Sequence, residues 1–286
     1  MTSYAFRILN VFAETTFGGN PLCVFEDARG LDDATLQALA LQFNLSETTF
    51  ILPSERATAR VRIFTTGYEM PFAGHPTLGT AHVVSDISGK TDEVLLELKA
   101  GTVPVAREGD RWTLTAPHKG QPKVQSTNVP DEDIAALMGL QKSDLLLSPS
   151  WVDTGVDQLM IPVSSIDAVK RASPNSALFA NWPESSLERK SGYVFAFDPE
   201  DPSHVVCRYF FTKSGGGVAE DPGTGSACAN LGGWLIANHD TLLPEYRLEQ
   251  GDQVDRPSRL TLRVEQDGSI KVGGRVRELG RGSLNL

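Results

Sequence analysis

The sequence predicts a pseudo-duplicated α+β protein in two halves, each a mostly antiparallel set of strands around one central helix. Three observations lead there. Residues 76–84 and 226–237 contain no Asp, Glu, Lys or Arg and are rich in small and apolar side chains, so each reads as a buried helix rather than an amphipathic surface one. Short apolar and β-branched runs bounded by Gly, Pro or charged residues flank both segments. Each helix also follows a glycine turn, Ala73-Gly74-His75-Pro76-Thr77 in the first half and Pro222-Gly223-Thr224-Gly225-Ser226 in the second.

Residues 4–11 and 22–25 read as strands joined by Phe17-Gly18-Gly19-Asn20-Pro21, where two glycines and Asn-Pro favour a sharp reversal. Leu36, Leu39, Ala40 and Phe43 recur at helical spacing behind Asp32, a suitable N-cap, which predicts an amphipathic helix over 33–43 with Glu47 just beyond its end. Strands follow at 48–52 and 59–65, then the first buried helix, then strands at 94–98, 103–107 and 112–116. A stretch with Pro and Lys, residues 117–123, reads as a linker. Beyond it lie helix signals at 131–138 and 165–171, strand signals at 159–163, 193–197 and 205–211, and the second buried helix. Strands at 260–264, 270–272 and 276–279 finish the chain as hairpins, one of them turning at Gln266-Asp267-Gly268.

Bulk properties narrow the function. A chain of 286 residues that is 40% hydrophobic can fill two cores. Its net charge of −10 comes from interspersed charges, which argues against nucleic acid or an anionic membrane as the main partner. No run approaches the length of a membrane span and the start lacks a signal-peptide pattern, so the expected location is cytoplasmic. Cys23, Cys207 and Cys228 form no close pair, which fits reduced thiols, and the scattered histidines give no metal spacing. Gly215-Gly216-Gly217 lacks the Lys and Ser/Thr of a phosphate loop, and Gly223-Thr224-Gly225-Ser226-Ala227 is no nucleophile elbow.

The two turns carry the chemistry. A helix start offers uncommitted backbone N–H groups and a positive dipole end beside possible acids and bases, which suits holding a substrate anion during proton transfer. Glu47 suits an acid/base if an apolar setting raises its pKa, but also reads as a solvated strand residue. His75 can bind a substrate oxygen, relay a proton or simply cap its turn. Asp221 can orient His75 or meet an amine, and Ser226 can donate to a substrate oxygen; either also serves as a helix cap. Gly74, Gly223 and Gly225 let backbone approach a ligand, or are there for the turn alone.

Together with Asn44-Leu45-Ser46-Glu47-Thr48, Gln250-Gly251 and Arg256-Pro257-Ser258, the turns resemble the phenazine biosynthesis PhzF-like isomerase family, which shares its fold with diaminopimelate epimerase. The resemblance spans almost the whole chain. It implies two domains, each a curled sheet around a central helix, over 1–118 and 119–274 with a final strand, 275–286, returning to the first; it also implies a cleft between them, a homodimer and no cofactor. The implied activity is isomerisation of a small carboxylate-bearing, cyclic or dihydroaromatic substrate through Glu47, His75 and Asp221, with Ser46, Gly74, Gly223, Thr224, Gly225 and Ser226 at the substrate. Alternatives are a noncatalytic ligand-binding or interaction protein on the same scaffold and an epimerase without thiols. Epimerase relatives carry one cysteine at each turn, where this chain has Ala73 and Pro222, and Cys228 reads as a core residue rather than a displaced base. Thr66, Thr212, Gly223 and Asp255 depart from the family pattern and bear on substrate choice.

Overall fold

The computed structural model describes residues 2–117, 121–213 and 216–286. His118, Lys119 and Gly120 of the expected linker, and Gly215 of the glycine run, lie outside the described residues. The chain forms two compact units, Met1–Pro117 with Lys271–Leu286, and His118–Ile270.

In the first unit, β1 (Ser3–Val11) and β2 (Asn20–Phe25) form the expected antiparallel hairpin, with Val11 opposite Asn20. Gly19 sits at φ +76°, and a Cβ there would lie 2.4 Å from the Val11 carbonyl oxygen, so the turn needs glycine on two counts. Helix α1 (Asp33–Phe43) starts where the Asp32 carboxylate accepts from the Thr35 N–H at 2.8 Å, and stops at Asn44, whose φ of 52° is left-handed. It buries Leu36, Leu39 and Ala40 against Phe25, Phe50 and Phe64, and truncating either leucine to alanine costs about 2–5 kcal/mol. The chain then enters β3 (Glu47–Leu52), parallel to β2 with Glu47 beside Leu22. Next come β4 (Ala59–Phe64), β5 (Glu69–Met70), α2 (Gly74–Ser88), β6 (Glu93–Leu98), β7 (Gly101–Glu108) and β8 (Arg111–Thr115).

The second unit runs β9 (Lys123–Ser126), α3 (Asp131–Leu137), β10 (Ser150–Asp153), β11 (Asp157–Pro162), α4 (Ile166–Arg171), β12 (Ser191–Phe197), β13 (His204–Thr212), β14 (Val218–Asp221), α5 (Gly225–Asn238), β15 (Tyr246–Gln250) and β16 (Ser258–Val264). Its strands pair in the order β9-β10-β11-β12-β13-β15-β16, with β14 also on β13. Helix α5 packs on β9, β10, β11 and β16, strands from both ends of that order, so the sheet curls around it. Gly233 lets it settle: a Cβ there would come within 2.9 Å of Pro122 and Val152 side-chain atoms. Arg208 fixes α4 by donating to the carbonyls of Val169, Lys170 and Ala172 while pairing with Glu220.

The last strand, β17 (Ile270–Asn285), corrects the expected pair at 270–272 and 276–279. Gly273 and Gly274 do not break it, because they stay in the ladder opposite Thr113 and Trp112 of β8. Beyond them β17 pairs with β1. The order β17-β1-β2-β3-β4-β6-β7-β8 thus returns to β17 and closes a ring around α2, which packs on β1, β2, β3, β6 and β8. Strands β5, β9, β10, β14 and β15 lie outside the strands that the sequence predicts. Among the described residues, no helix is long and apolar enough to cross a membrane.

Candidate active site

In the first unit, three pieces of sequence meet at the start of α2. Asn20 opens β2, Glu47 opens β3, and His75 is the second residue of the helix. Close helix-to-sheet contact sets their spacing. A Cβ at Gly79 would lie 2.5 Å from Leu22 Cδ2, and the buried hydroxyls of Thr80 and Thr49 meet at 2.8 Å. A larger residue at position 79 would lift His75 away from β2 and β3.

Glu47 Oε2 lies 3.3 Å from His75 Nε2, and the Asn20 amide nitrogen lies 3.1 Å from His75 Nδ1. Whether Nδ1 donates or accepts in that contact depends on the ring's tautomer. The imidazole is 5% exposed and the Glu47 side chain 14%, so both are largely withdrawn from solvent. Burial drives the His75 pKa down to about 3, against a smaller upward pull from the Pro21 backbone carbonyl. The positive end of α2 acts in the same direction as burial. At neutral pH the ring is therefore uncharged and can donate one hydrogen bond and accept one without adding a buried charge. Thr77 closes the first turn by donating from both its backbone N–H and its hydroxyl to the Ala73 carbonyl, and Pro76 has no N–H to satisfy. Gly74 is buried at this start, and Ser46 stands exposed one residue before Glu47.

In the second unit, the turn Pro222-Gly223-Thr224 is moulded by Gln250 and Gly251. Gln250 Oε1 accepts from the Thr224 N–H at 3.1 Å, and Gln250 Nε2 donates to the Asp221 carbonyl at 2.7 Å and to Thr224 Oγ1 at 2.9 Å. Thr224 Oγ1 in turn donates to the Asp221 carboxylate. Gly251, at φ +82°, leaves no room for a Cβ, which would lie 2.4 Å from the carbonyl oxygens of both Pro222 and Arg256. Gly223, Gly225 and Ser226 are buried at the helix start, and Asp221 is half-buried. Ser226 does not join Asp221: its hydroxyl takes a hydrogen bond from Gln158 Nε2 at 3.0 Å. Gln158 belongs to a buried set with Asn230 and Thr154.

The structure thus joins Glu47 with His75, and Asp221 with Thr224. It adds Asn20, Gln158, Asn230 and Gln250, none of which the sequence alone places at the site. Asn20 and Gln250 stand inside the motifs Phe17-Gly18-Gly19-Asn20-Pro21 and Gln250-Gly251; Gln158 and Asn230 carry no sequence signal, since an isolated amide in a strand or a buried helix follows no spacing rule. All three thiols are buried, and burial raises the pKa of each, that of Cys207 to about 12, so none is a ready base. Among the described residues, no cluster of three His, Cys, Asp or Glu could hold a metal ion.

Comparison with known proteins bears on what such an arrangement does. The phenazine biosynthesis-like protein model, PhzC-PhzF, matches residues 9–280. An uncharacterized isomerase of Pasteurella multocida is 41% identical over 286 residues, covering 99% of this chain and 95% of the relative. The trans-2,3-dihydro-3-hydroxyanthranilate isomerase of Pseudomonas aeruginosa is 32% identical over 292 residues, covering 99% and 100%. A crystal structure of a PhzF-family phenazine biosynthesis protein from Bacillus anthracis has the same fold, with a TM-score of 0.83 and 24% identity over the full length of both chains.

Proposed function

Because the chain belongs to the phenazine biosynthesis-like PhzC-PhzF family and is an isomerase of it, we propose that it moves a proton between carbons of a small, carboxylate-bearing, cyclic dihydroaromatic substrate, with Glu47 as general acid and base. The observation that supports this most is the pair of Glu47 and a neutral His75, 3.3 Å apart at a helix start. In the reaction, the C–H bond breaks as Glu47 takes the proton, and the electron pair spreads into the conjugated system. Glu47 then returns the proton to a second carbon as the double bond moves, so substrate and product have the same atoms. His75 holds a substrate oxygen or steadies the carboxyl group in either protonation state. No cofactor is required, because the carboxyl group serves both steps.

Asp221 is assigned to a substrate amine and Ser226 to a carboxylate or enolate oxygen, with Thr224 holding the turn, the backbone N–H of Gly225 toward the substrate and open approach at Gly74 and Gly223. Ser46 is assigned to the rim beside Glu47. We read the units as the two duplicated halves of an α+β, diaminopimelate epimerase-like fold, and the protein as a cytoplasmic homodimer. Thiol racemisation is disfavoured by Ala73, Pro222 and the buried state of Cys228.

The test uses trans-2,3-dihydro-3-hydroxyanthranilate, the compound for which the Pseudomonas relative is named. In D2O the wild-type protein should convert it with deuterium at the new C–H position, and Glu47→Gln should bind it with unchanged affinity but incorporate none. Equal incorporation by Glu47→Gln sinks the assignment of Glu47.

A further inference from the structure

Hydroxyl protons have no fixed direction of their own; their neighbours set it. Around Ser226 that direction can be deduced from one unambiguous donor. The Thr154 backbone N–H points to Asn230 Oδ1 at 2.9 Å, and the Thr154 hydroxyl to the same oxygen at 2.6 Å. The facing atom of Asn230 must therefore be its carbonyl oxygen, which turns its NH2 toward the Val156 carbonyl at 2.9 Å and Gln158 Oε1 at 2.8 Å. That fixes Gln158 as well: its oxygen faces Asn230, and its two N–H groups go to Tyr209 Oη at 3.3 Å and Ser226 Oγ at 3.0 Å. Ser226 is left as the acceptor from Gln158. Among the described residues no group accepts the Ser226 proton.

We propose that Gln158, held by Asn230 and Thr154, is a positioning residue that turns the Ser226 O–H away from the protein and so makes Ser226 a fixed donor to a substrate oxygen. The inference rests on the assignment of Ser226 to a substrate oxygen made above and deepens it. A hydroxyl that has already accepted a hydrogen bond is polarised toward donating the next one, and it need not reorient when a ligand arrives. The site at Ser226 therefore selects acceptors, a carboxylate or an enolate oxygen, over ammonium or amide N–H groups. The four side chains of the set, Thr154, Asn230, Gln158 and Ser226, are all more than nine-tenths buried, so water does not compete for these orientations.

Neutron diffraction from crystals of the ligand-free wild-type protein in D2O reads the direction itself. Both Gln158 amide deuterons should be found toward Tyr209 and Ser226, with the Ser226 deuteron on the side away from Gln158. A Ser226 deuteron directed at Gln158 overturns the proposal. Binding of anthranilate, an aromatic amino carboxylate used as probe, reads the consequence through a double-mutant cycle. Ser226→Ala should weaken binding about tenfold and Gln158→Met at least threefold, while the double variant binds no worse than Ser226→Ala alone. If Gln158→Met weakens binding as much in the Ser226→Ala background as in the wild type, Gln158 acts on the fold and the positioning role is lost. Should Ser226→Ala bind anthranilate like the wild type, the assignment of Ser226 to a substrate oxygen falls, whereas the neutron result still judges the proton direction.

Discussion

The starts of α2 and α5 are both glycine turns whose N–H groups are uncommitted within their helices, yet their surroundings differ. At α2 a carboxyl group faces a neutral imidazole at 3.3 Å. At α5 two glutamines, an asparagine and the hydroxyls of Thr154, Thr224 and Ser226 form sets in which every amide orientation follows from a backbone N–H. Burial produces both results. It strips an ionisable group of its charge at α2, and it makes any unmatched donor or acceptor costly at α5. The lesson is that two similar turn sequences can be set apart by their partners in space, one by an ionisable pair and one by a fixed pattern of donors and acceptors.

The sharpest way to break this contrast is Glu47→Gln, which keeps the shape of the α2 start and removes its movable proton. Turnover should fall between a hundredfold and ten-thousandfold, with a melting temperature within a few degrees of wild type. If Thr224→Val, made at α5, costs as much in kcat, the contrast is wrong.

Gly251→Ala attacks the mould of the α5 turn and should cost about 3 kcal/mol in urea unfolding, because it adds a strained φ to a Cβ overlap with the Pro222 and Arg256 carbonyls. An effect below 1 kcal/mol would mean that this turn yields easily.

Acid sensitivity separates the two starts next. The His75 pKa is about 3 folded and about 6.5 unfolded, so on acidification the unfolded chain takes up this proton first. The stability that the neutral ring contributes is complete above pH 6.5 and is lost as pH falls toward 3, by about 1 kcal/mol per pH unit. His75→Gln should therefore lose less stability than wild type between pH 7 and pH 5, by about 2 kcal/mol in paired urea titrations. Parallel losses would place the ring in a more polar setting than its burial indicates.

Thr224→Val deletes a hydroxyl that donates to Asp221 and accepts from Gln250, and should cost about 1–2 kcal/mol of stability, raising KM more than it lowers kcat. Smallest of all, Cys228→Ala should leave kcat within twofold and cost about 1 kcal/mol, as expected of a small buried side chain without a chemical role.

The two turns and their helices are legible in the sequence. Both helices could be read because a segment without charged residues has nowhere to go but a core, and α1 because Asp32 and its 3.6-residue apolar spacing agree. Strand β9 was not legible: Lys123, Val124, Gln125 and Ser126 are all exposed, so no alternation marks it. Nor was the continuity of β17, since Gly273 and Gly274 read as a break until their cross-strand partners on β8 are known. Glu47, His75, Asp221 and Ser226 stood out through motifs, while Gln158 and Asn230 did not, because their value lies in what they face.

By itself the sequence determined the local decisions: where helices begin, which segments are buried, where only glycine fits, and that no thiol stands at either turn. Tertiary structure alone decided the rest: that β2, β3 and α2 bring Asn20, Glu47 and His75 together from three places in the chain, and that one backbone N–H at Thr154 sets a chain of amides ending at Ser226. The physical reason is range. Propensity and turn geometry act over a few neighbouring residues, whereas burial, and with it proton affinity and hydrogen-bond direction, depends on atoms that only folding brings close.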